Sequence, residues 1–183
     1  MKRVLTSLVA ALLIIAGSGP VFSEDKFEFS PKIAPVDDIR FAATLSPDKE
    51  AVTVIFDNLA VALQELKGAP PVASRFFSLT LPTKGDGKST EIVLQVRGHA
   101  QTHQGASAVL LVRTFGASNL AEFPAGSDSD YDKEIKLSVP AGRTIPLTLG
   151  LLVERDGSAE TAAALLTVDS IDIAIPITTG APH

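Results

Sequence analysis

This 183-residue chain contains no cysteine, no tryptophan and a single tyrosine, Tyr131. Without cysteine there is no disulfide, no thiol nucleophile, no iron–sulfur ligation and no lipid-anchored N-terminal Cys. The fold must therefore rest on buried surface and on the backbone ladder. Aromatic residues make up only 5% of the chain. That scarcity argues against sugar cleavage and sugar binding, which usually offer aromatic platforms to the saccharide ring. Positive charge is also in deficit, with 16 basic against 21 acidic side chains and no Lys/Arg cluster. Such a surface repels nucleic acid phosphates and anionic lipid heads, so neither is an expected partner. No Asn-x-Ser/Thr sequon occurs: Asn58 precedes Leu59-Ala60, and Asn119 precedes Leu120-Ala121.

The first residues are organised differently from the rest. Lys2 and Arg3 precede an uncharged apolar run of thirteen residues, Val4 to Ala16. Gly17 to Pro20 then break any helix, and Val21-Phe22-Ser23 lead into the charged Glu24-Asp25-Lys26. Basic, apolar and small-residue segments in that order form a secretory signal. The run falls short of the ~20 apolar residues that cross a bilayer. Cleavage after Ser23 is expected, with Ser18 as the alternative. Residues 1–23 are then a signal peptide, and residues 24–183 form one secreted or periplasmic domain, with no membrane insertion after signal removal. The mature chain has 183 − 23 = 160 residues. Losing Lys2 and Arg3 leaves 14 basic against 21 acidic side chains, a formal charge of −7.

Hydrophobicity along that domain alternates with period two. Ile135, Leu137 and Val139 alternate with Glu134, Lys136 and Ser138, and Ile92, Leu94 and Val96 alternate with Glu91, Gln95 and Arg97. Val52, Val54 and Phe56 repeat the pattern, as do Phe77, Leu79 and Leu81. Successive strand side chains point to opposite faces, so each segment is a strand with one buried and one wet face. Residues 108–115 (AVLLVRTF), 145–153 (IPLTLGLLV) and 162–175 are apolar on both faces. Runs of that kind suit central strands covered on both sides. The last exceeds a typical strand and calls for a bulge near Asp169-Ser170.

Turn residues separate the strands: Ser46-Pro47-Asp48, residues 68–71 (GAPP), Lys84-Gly85-Asp86-Gly87 and Gln104-Gly105. Residues 124–130 (PAGSDSD) read as a polar loop, while Pro140-Ala141-Gly142 and Asp156-Gly157-Ser158 read as closing hairpins. Residues 59–66 (LAVALQEL) fit either a short helix or an edge strand. Residues 27–36 and 178–183 read as loosely held ends. The pattern predicts an all-β fold, an antiparallel β-sandwich of about seven to nine strands in a single domain.

Two stretches carry a family resemblance. One is Ser46-Pro47-Asp48 with the strand Ala51 to Asp57; the other is Val96-Arg97-Gly98-His99-Ala100, then Gly105 to Ala108, then Thr114-Phe115-Gly116. Together they resemble a family of small secreted microbial proteins defined only as a domain of unknown function, over Phe41 to Ile175. The chain departs from that family in lacking cysteines and in placing His99 where an aromatic is usual. The resemblance implies secretion and a β domain, and it carries no activity.

Chemistry-bearing residues are few. His99 and His103 lie four apart, as in helical zinc motifs. On a strand that spacing spans about 13 Å, while zinc nitrogens must lie about 2 Å from the metal. Only a bulge at Gly98 or the turn at Gly105 could join them. His183 is terminal and uninformative. Asp128, Asp130 and Asp132 alternate as in calcium loops, but the sixth and twelfth positions hold Lys133 and Val139 instead of Gly and Glu. There is no Gly-x-Ser-x-Gly elbow, and Ser107 and Ser127 sit in turn regions. Among the carboxylates, Glu50, Glu91 and Glu134 fall on wet strand faces, leaving Glu122 and Glu154 as further candidates for a hydrolytic pair. Residues 85–88 (GDGK) lack phosphate-loop spacing. Arg97 and Arg113 interrupt strand runs and could meet an anionic partner. No residue is assigned as catalytic, cofactor-binding or metal-binding, and no cofactor is expected. The leading expectation is a non-enzymatic exported domain that interacts with a protein or a surface polymer. The alternatives are a hydrolase assembled from distant strands and a calcium-stabilised domain.

Overall fold

The structure is a computed structural model that describes residues 27–29, 34–35, 39–85, 89–115, 117–157 and 159–176. The expected signal segment, residues 86–88 and the expected loose end 178–183 with His183 lie outside them. Eleven strands occur in order: β1 (Glu28–Phe29), β2 (Ala34–Pro35), β3 (Phe41–Leu45), β4 (Ala51–Leu63), β5 (Val72–Lys84), β6 (Ser89–Thr102), β7 (Ala106–Thr114), β8 (Ala117–Phe123), β9 (Asp128–Pro140), β10 (Thr144–Arg155) and β11 (Ala164–Ala174). No helix is present among the described residues, so none there is long and apolar enough to cross a membrane.

All pairings are antiparallel and form two sheets. One has the order β1-β5-β10-β7-β8, with β2 also on the free edge of β5; the other has the order β3-β4-β11-β6-β9. Strands β4 to β11 thus alternate between facing sheets as 4-11-6-9 and 5-10-7-8, which is the double Greek key of a jelly roll. The β-sandwich expected from the sequence is what forms. Its eight long strands fall within the expected range, and β1 to β3 are short additions at the edges.

The core is the sum of the inward positions. Val52, Val54 and Phe56 of β4, Phe77, Leu79 and Leu81 of β5, Ile92, Leu94 and Val96 of β6 and Leu147, Leu149 and Leu151 of β10 are all buried. Phe56 meets Phe77 edge to face at 4.9 Å between centroids, and Phe41 meets Phe77 at 5.6 Å, so one aromatic cluster ties the two sheets together. Truncating a residue such as Leu149 at this density would cost about 2–5 kcal/mol.

Several local expectations are corrected by the tertiary pairing. Residues 59–63 continue β4 from Phe56 as strand and not helix; β3 pairs no further than Phe56, so this stretch, bonded to β11 alone, is the edge strand that the sequence allowed. The loop read over 124–130 ends early, because Asp128 already pairs with Gln101 as the start of β9. Pro140-Ala141-Gly142 joins β9 to β10 in the opposite sheet, and Asp156 and Gly157 lie on the β10–β11 crossing. These are corners between facing sheets, not hairpins. Of the end expected to be loose, residues 27–36, the described Glu28–Phe29 is held: Phe29 is buried and β1 pairs with β5. The bulge in β11 falls between Val168 and Ser170, where it was expected.

Arg155, at the end of β10, is the buried cation among the described residues. Its guanidinium donates to the carbonyl oxygens of Ala162 (2.7 Å), Ala69 (3.2 Å) and Gln64, which pins the β4–β5 and β10–β11 loops at one end of the sandwich. The planar fork of donors suits three diverging carbonyls, which a lysine could not span.

Candidate functional site

Alternation leaves each sheet an outer face, and the two faces differ in chemistry. On the β5-β10-β7-β8 sheet, register places Phe76, Gly150, Leu111 and Leu120 in one row across four strands. Phe76 is 56% exposed and Leu120 58% exposed. The next row is polar: Ser78, Thr148, Arg113 and Ser118. Within it, the Ser78 and Thr148 hydroxyls lie 3.0 Å apart and share a hydrogen bond.

These two rows and the turn after β7 shape a groove of about 420 Å³, walled by Phe76, Phe115 and Pro146 and floored by Leu111, Arg113 and Thr148. Two backbone features set its aromatic walls. Gly150 has no side chain, and a Cβ there would sit 2.8 Å from Phe76 Cε1, so the ring can lie down against the sheet only over glycine. Phe115 adopts φ 41°, a left-handed conformation costly for a bulky residue, and it remains 47% exposed. A strained backbone that holds an exposed ring at a groove is the kind of outlier found at binding sites.

Burial on both sides, expected for residues 108–115 and 145–153, holds on one face only. Val109, Leu111 and Leu152 project from the outer face and stay partly exposed. The double-faced apolar pattern therefore records an open apolar surface.

The other sheet carries a polar outer face. Arg97 bridges two carboxylates, Asp172 at 2.5 Å and Asp132 at 3.3 Å, and Gln95 donates to Asp132 at 3.0 Å. Thr53 donates to Asp172 at 2.6 Å. Hydrogen bonds to Asp172 and Asp132 hold the Arg97 guanidinium above even its high ordinary pKa. For Asp172, burial pushes the carboxyl up, but the bonds from Thr53 and Arg97 and the Arg97 charge outweigh burial and hold it below the usual range.

His99 is brought to Asp130 (Nδ1, 2.9 Å) and Asp128 (Nε2, 3.4 Å), whereas His103 pairs with Glu65 at 2.8 Å. The two histidines thus hold separate carboxylates. Asp128, Asp130 and Asp132 lie on β9, the first two paired with His99 and the third with Arg97, and among the described residues no group of three or more His, Asp or Glu side chains is placed to hold a metal ion. The His99 cluster lies on an open sheet face, with the Asp130 side chain 95% exposed. The serines are engaged in structure or with an acid: Ser127 caps its own turn through Pro124 O at 2.7 Å, and Ser107 donates to Glu154 at 3.4 Å. Glu122 and Glu154 line a second cleft of about 430 Å³, beside Ser107 and Phe123. Glu91 and Glu134 face solvent on β6 and β9.

Sequence reasoning missed Phe76, Phe115 and Gly150. The available signal was the apolar outward set of β7 and β10, together with the doublet Phe76-Phe77, which puts one ring on each side of β5.

No protein-family model matches the chain, and no curated protein sequence matches it. Among solved structures, it is similar to the CBM36-1 domain of a multidomain xylanase from the hindgut metagenome of Trinervitermes trinervoides, at 12% identity and a TM-score of 0.36 over 87% of this chain and 99% of that one. It is similar to TmCBM61 in complex with beta-1,4-galactotriose, at 16% identity and 0.34 over 81% and 91%. It is also similar to the infectious bursal disease virus VP2 subviral particle, at 14% identity and 0.41 over 75% and 38%. Overlaps this loose leave function to the chain's own residues.

Proposed function

We propose that this protein is a non-catalytic binding module of an exported protein, and that it holds a neutral surface glycan along the outer face of the β5-β10-β7-β8 sheet. The observation that carries this reading is the pairing of two rows, the apolar Phe76–Gly150–Leu111 beside the polar Ser78–Thr148–Arg113. A sugar ring has the same division, with an apolar C–H face and a rim of hydroxyls. Aromatic walls take the first, and the Arg113 donors and the Thr148 hydroxyl take the second.

An open groove suits a chain that runs through it, where an enclosed pocket would suit a capped small molecule. The groove lining contains no His, Asp or Glu, so it offers no general acid or base. The acidic balance of 21 carboxylates against 16 basic side chains disfavours polyanions and favours a neutral polymer. Scarcity of aromatics argued against sugar binding, but two of the nine phenylalanines wall one groove, and two rings suffice to grip a saccharide. The exported address rests on the basic and apolar leader pattern of residues 1–23.

Affinity electrophoresis through gels containing soluble neutral polysaccharides tests the reading. Retardation by at least one polymer is expected, and Phe76→Ala and Phe115→Ala should each weaken it about tenfold or more. Migration unchanged in every polymer, or retardation indifferent to both substitutions, would overturn it.

A further inference from the structure

The edge of β8, unpaired among the described residues, points to a second interaction surface. We infer that two copies of this chain pair antiparallel along β8, about a two-fold axis through Leu120, and join their β5-β10-β7-β8 sheets into one. This stands on the edge itself and does not depend on what the groove binds.

An open sheet edge presents unpaired N–H and C=O groups and is normally blunted by Pro, Lys, a bulge or short length. The β9, β3 and β2 edges have such protection, and from the unpaired stretch of β5 Arg75 donates to the carbonyl oxygen of Ala60 in the unpaired stretch of β4 at 3.3 Å. Strand β9 carries Lys133 and Lys136 and ends on Pro140; β3 is five residues long and runs into Ser46-Pro47; β2 contains Pro35. Strand β8, Ala117–Phe123 (ASNLAEF), has none of these devices. It is seven residues long, carries one charge, Glu122, and pairs with β7 without a register shift from Ala117 to Phe123.

Self-pairing about Leu120 places Ser118 opposite Glu122 of the second copy, and Asn119 opposite Ala121. Arg113 is the cross-strand neighbour of Ser118 on the same face. The Glu122 carboxylate of one copy therefore arrives beside the Arg113 guanidinium of the other, twice per dimer, and no like charges meet. Leu120, 58% exposed in the single chain, gains an apolar partner in its symmetry mate. The outer apolar row becomes continuous, Phe76–Gly150–Leu111–Leu120 and then its inverse. The two Phe76 rings lie seven strand spacings apart, about 34 Å at ~4.8 Å per strand. Both grooves open on the same face, an arrangement suited to one extended polymer, where the second contact gains from effective concentration.

The absence of cysteine makes the test clean, since an introduced thiol has no other thiol in its chain to meet. Sedimentation velocity of the purified protein over a range of micromolar concentrations should show a reversible dimer. Leu120→Cys should form a disulfide-linked dimer under mild oxidation, because residues directly opposite bring their Cβ atoms to about 5 Å. Ile55→Cys, equally exposed on the other sheet, should not. Leu120→Lys should weaken association about tenfold or more while leaving the strand circular dichroism unchanged. A monomer at all concentrations, a dimer indifferent to Leu120→Lys, or Leu120→Cys crosslinking no faster than Ile55→Cys would each overturn the pairing.

Discussion

The ring of Phe76 lies over Gly150 of the neighbouring strand, so close that a Cβ on Gly150 would stand 2.8 Å from ring carbon Cε1 and 3.3 Å from Leu111 Cβ. The glycine is thus the bed of an exposed aromatic side chain. Its strand is otherwise an apolar run in which a larger residue would fit the pattern, so the missing side chain serves the ring.

Gly150→Ala should separate the surface from the fold. The ring can rotate away, so folding stability should change by less than about 1 kcal/mol, helped by the lower unfolded-state entropy of alanine. Glycan retardation should fall several-fold, because the ring no longer lies flat. Urea denaturation and affinity electrophoresis on the same preparation check both halves. Strong destabilisation would show that Phe76 is pinned.

Phe115→Gly is the complementary change. Relief of the left-handed backbone contributes about 1–3 kcal/mol, against about 0.5–1 kcal/mol of added glycine entropy. Stability should therefore be unchanged or rise by about 1 kcal/mol, while binding is lost with the wall. The midpoint of a thermal melt reads the first, and retardation reads the second.

Gly98 faces the opposite constraint. A Cβ there would run into the carbonyl oxygen of Thr167 and approach the Tyr131 hydroxyl to 2.7 Å. That hydroxyl donates to the same carbonyl at 2.6 Å, and neither backbone can retreat within the ladder. Gly98→Ala should cost about 3 kcal/mol, read as a lowered urea midpoint with an unchanged slope.

Asp172 and Tyr131 each contribute a pH dependence to stability. Asp172 has its folded pKa held below the unfolded carboxylate value, so its contribution is fully present above about pH 4 and is lost as pH falls through the lower folded value. Tyr131 is pushed up, by burial first and by the nearby Asp169 charge second. Its contribution is complete below about pH 10 and is lost as pH rises towards the higher folded value. Urea midpoints across the pH range should fall at both ends. Asp172→Asn should flatten the acid limb and Tyr131→Phe the alkaline limb. A Tyr131→Phe variant that keeps the full alkaline slope would place the titration elsewhere.

Much of the fold was legible because strand periodicity is local. Ile92, Leu94 and Val96 declare a buried face within six residues, whatever they pair with. The β11 bulge was legible too, since Asp169-Ser170 interrupts an alternation that resumes out of step. Turn residues declared that the chain reverses but not whether it stays within a sheet, and the two segments read as hairpins are crossings between sheets. A Pro-Ala-Gly segment reverses the chain equally well within one sheet or across the ~10 Å between two. The grouping of the site was hidden for the same reason. Nothing near Leu111 announces that Gly150 and Phe76 lie beside it, or that Asp172 reaches Arg97.

What the sequence by itself determined is the strands, their inward faces, the lack of sulfur chemistry and the acidic balance, all properties of short segments or of composition. What only the tertiary structure decided is which outward faces share a surface. Strands β5, β7 and β10 are separated along the chain by whole strands of the other sheet, and antiparallel register alone brings Phe76, Gly150 and Leu111 into one row. Alternation is set by the backbone of each residue, whereas neighbourhood is set by which hydrogen-bond ladders close, and that depends on the core as a whole.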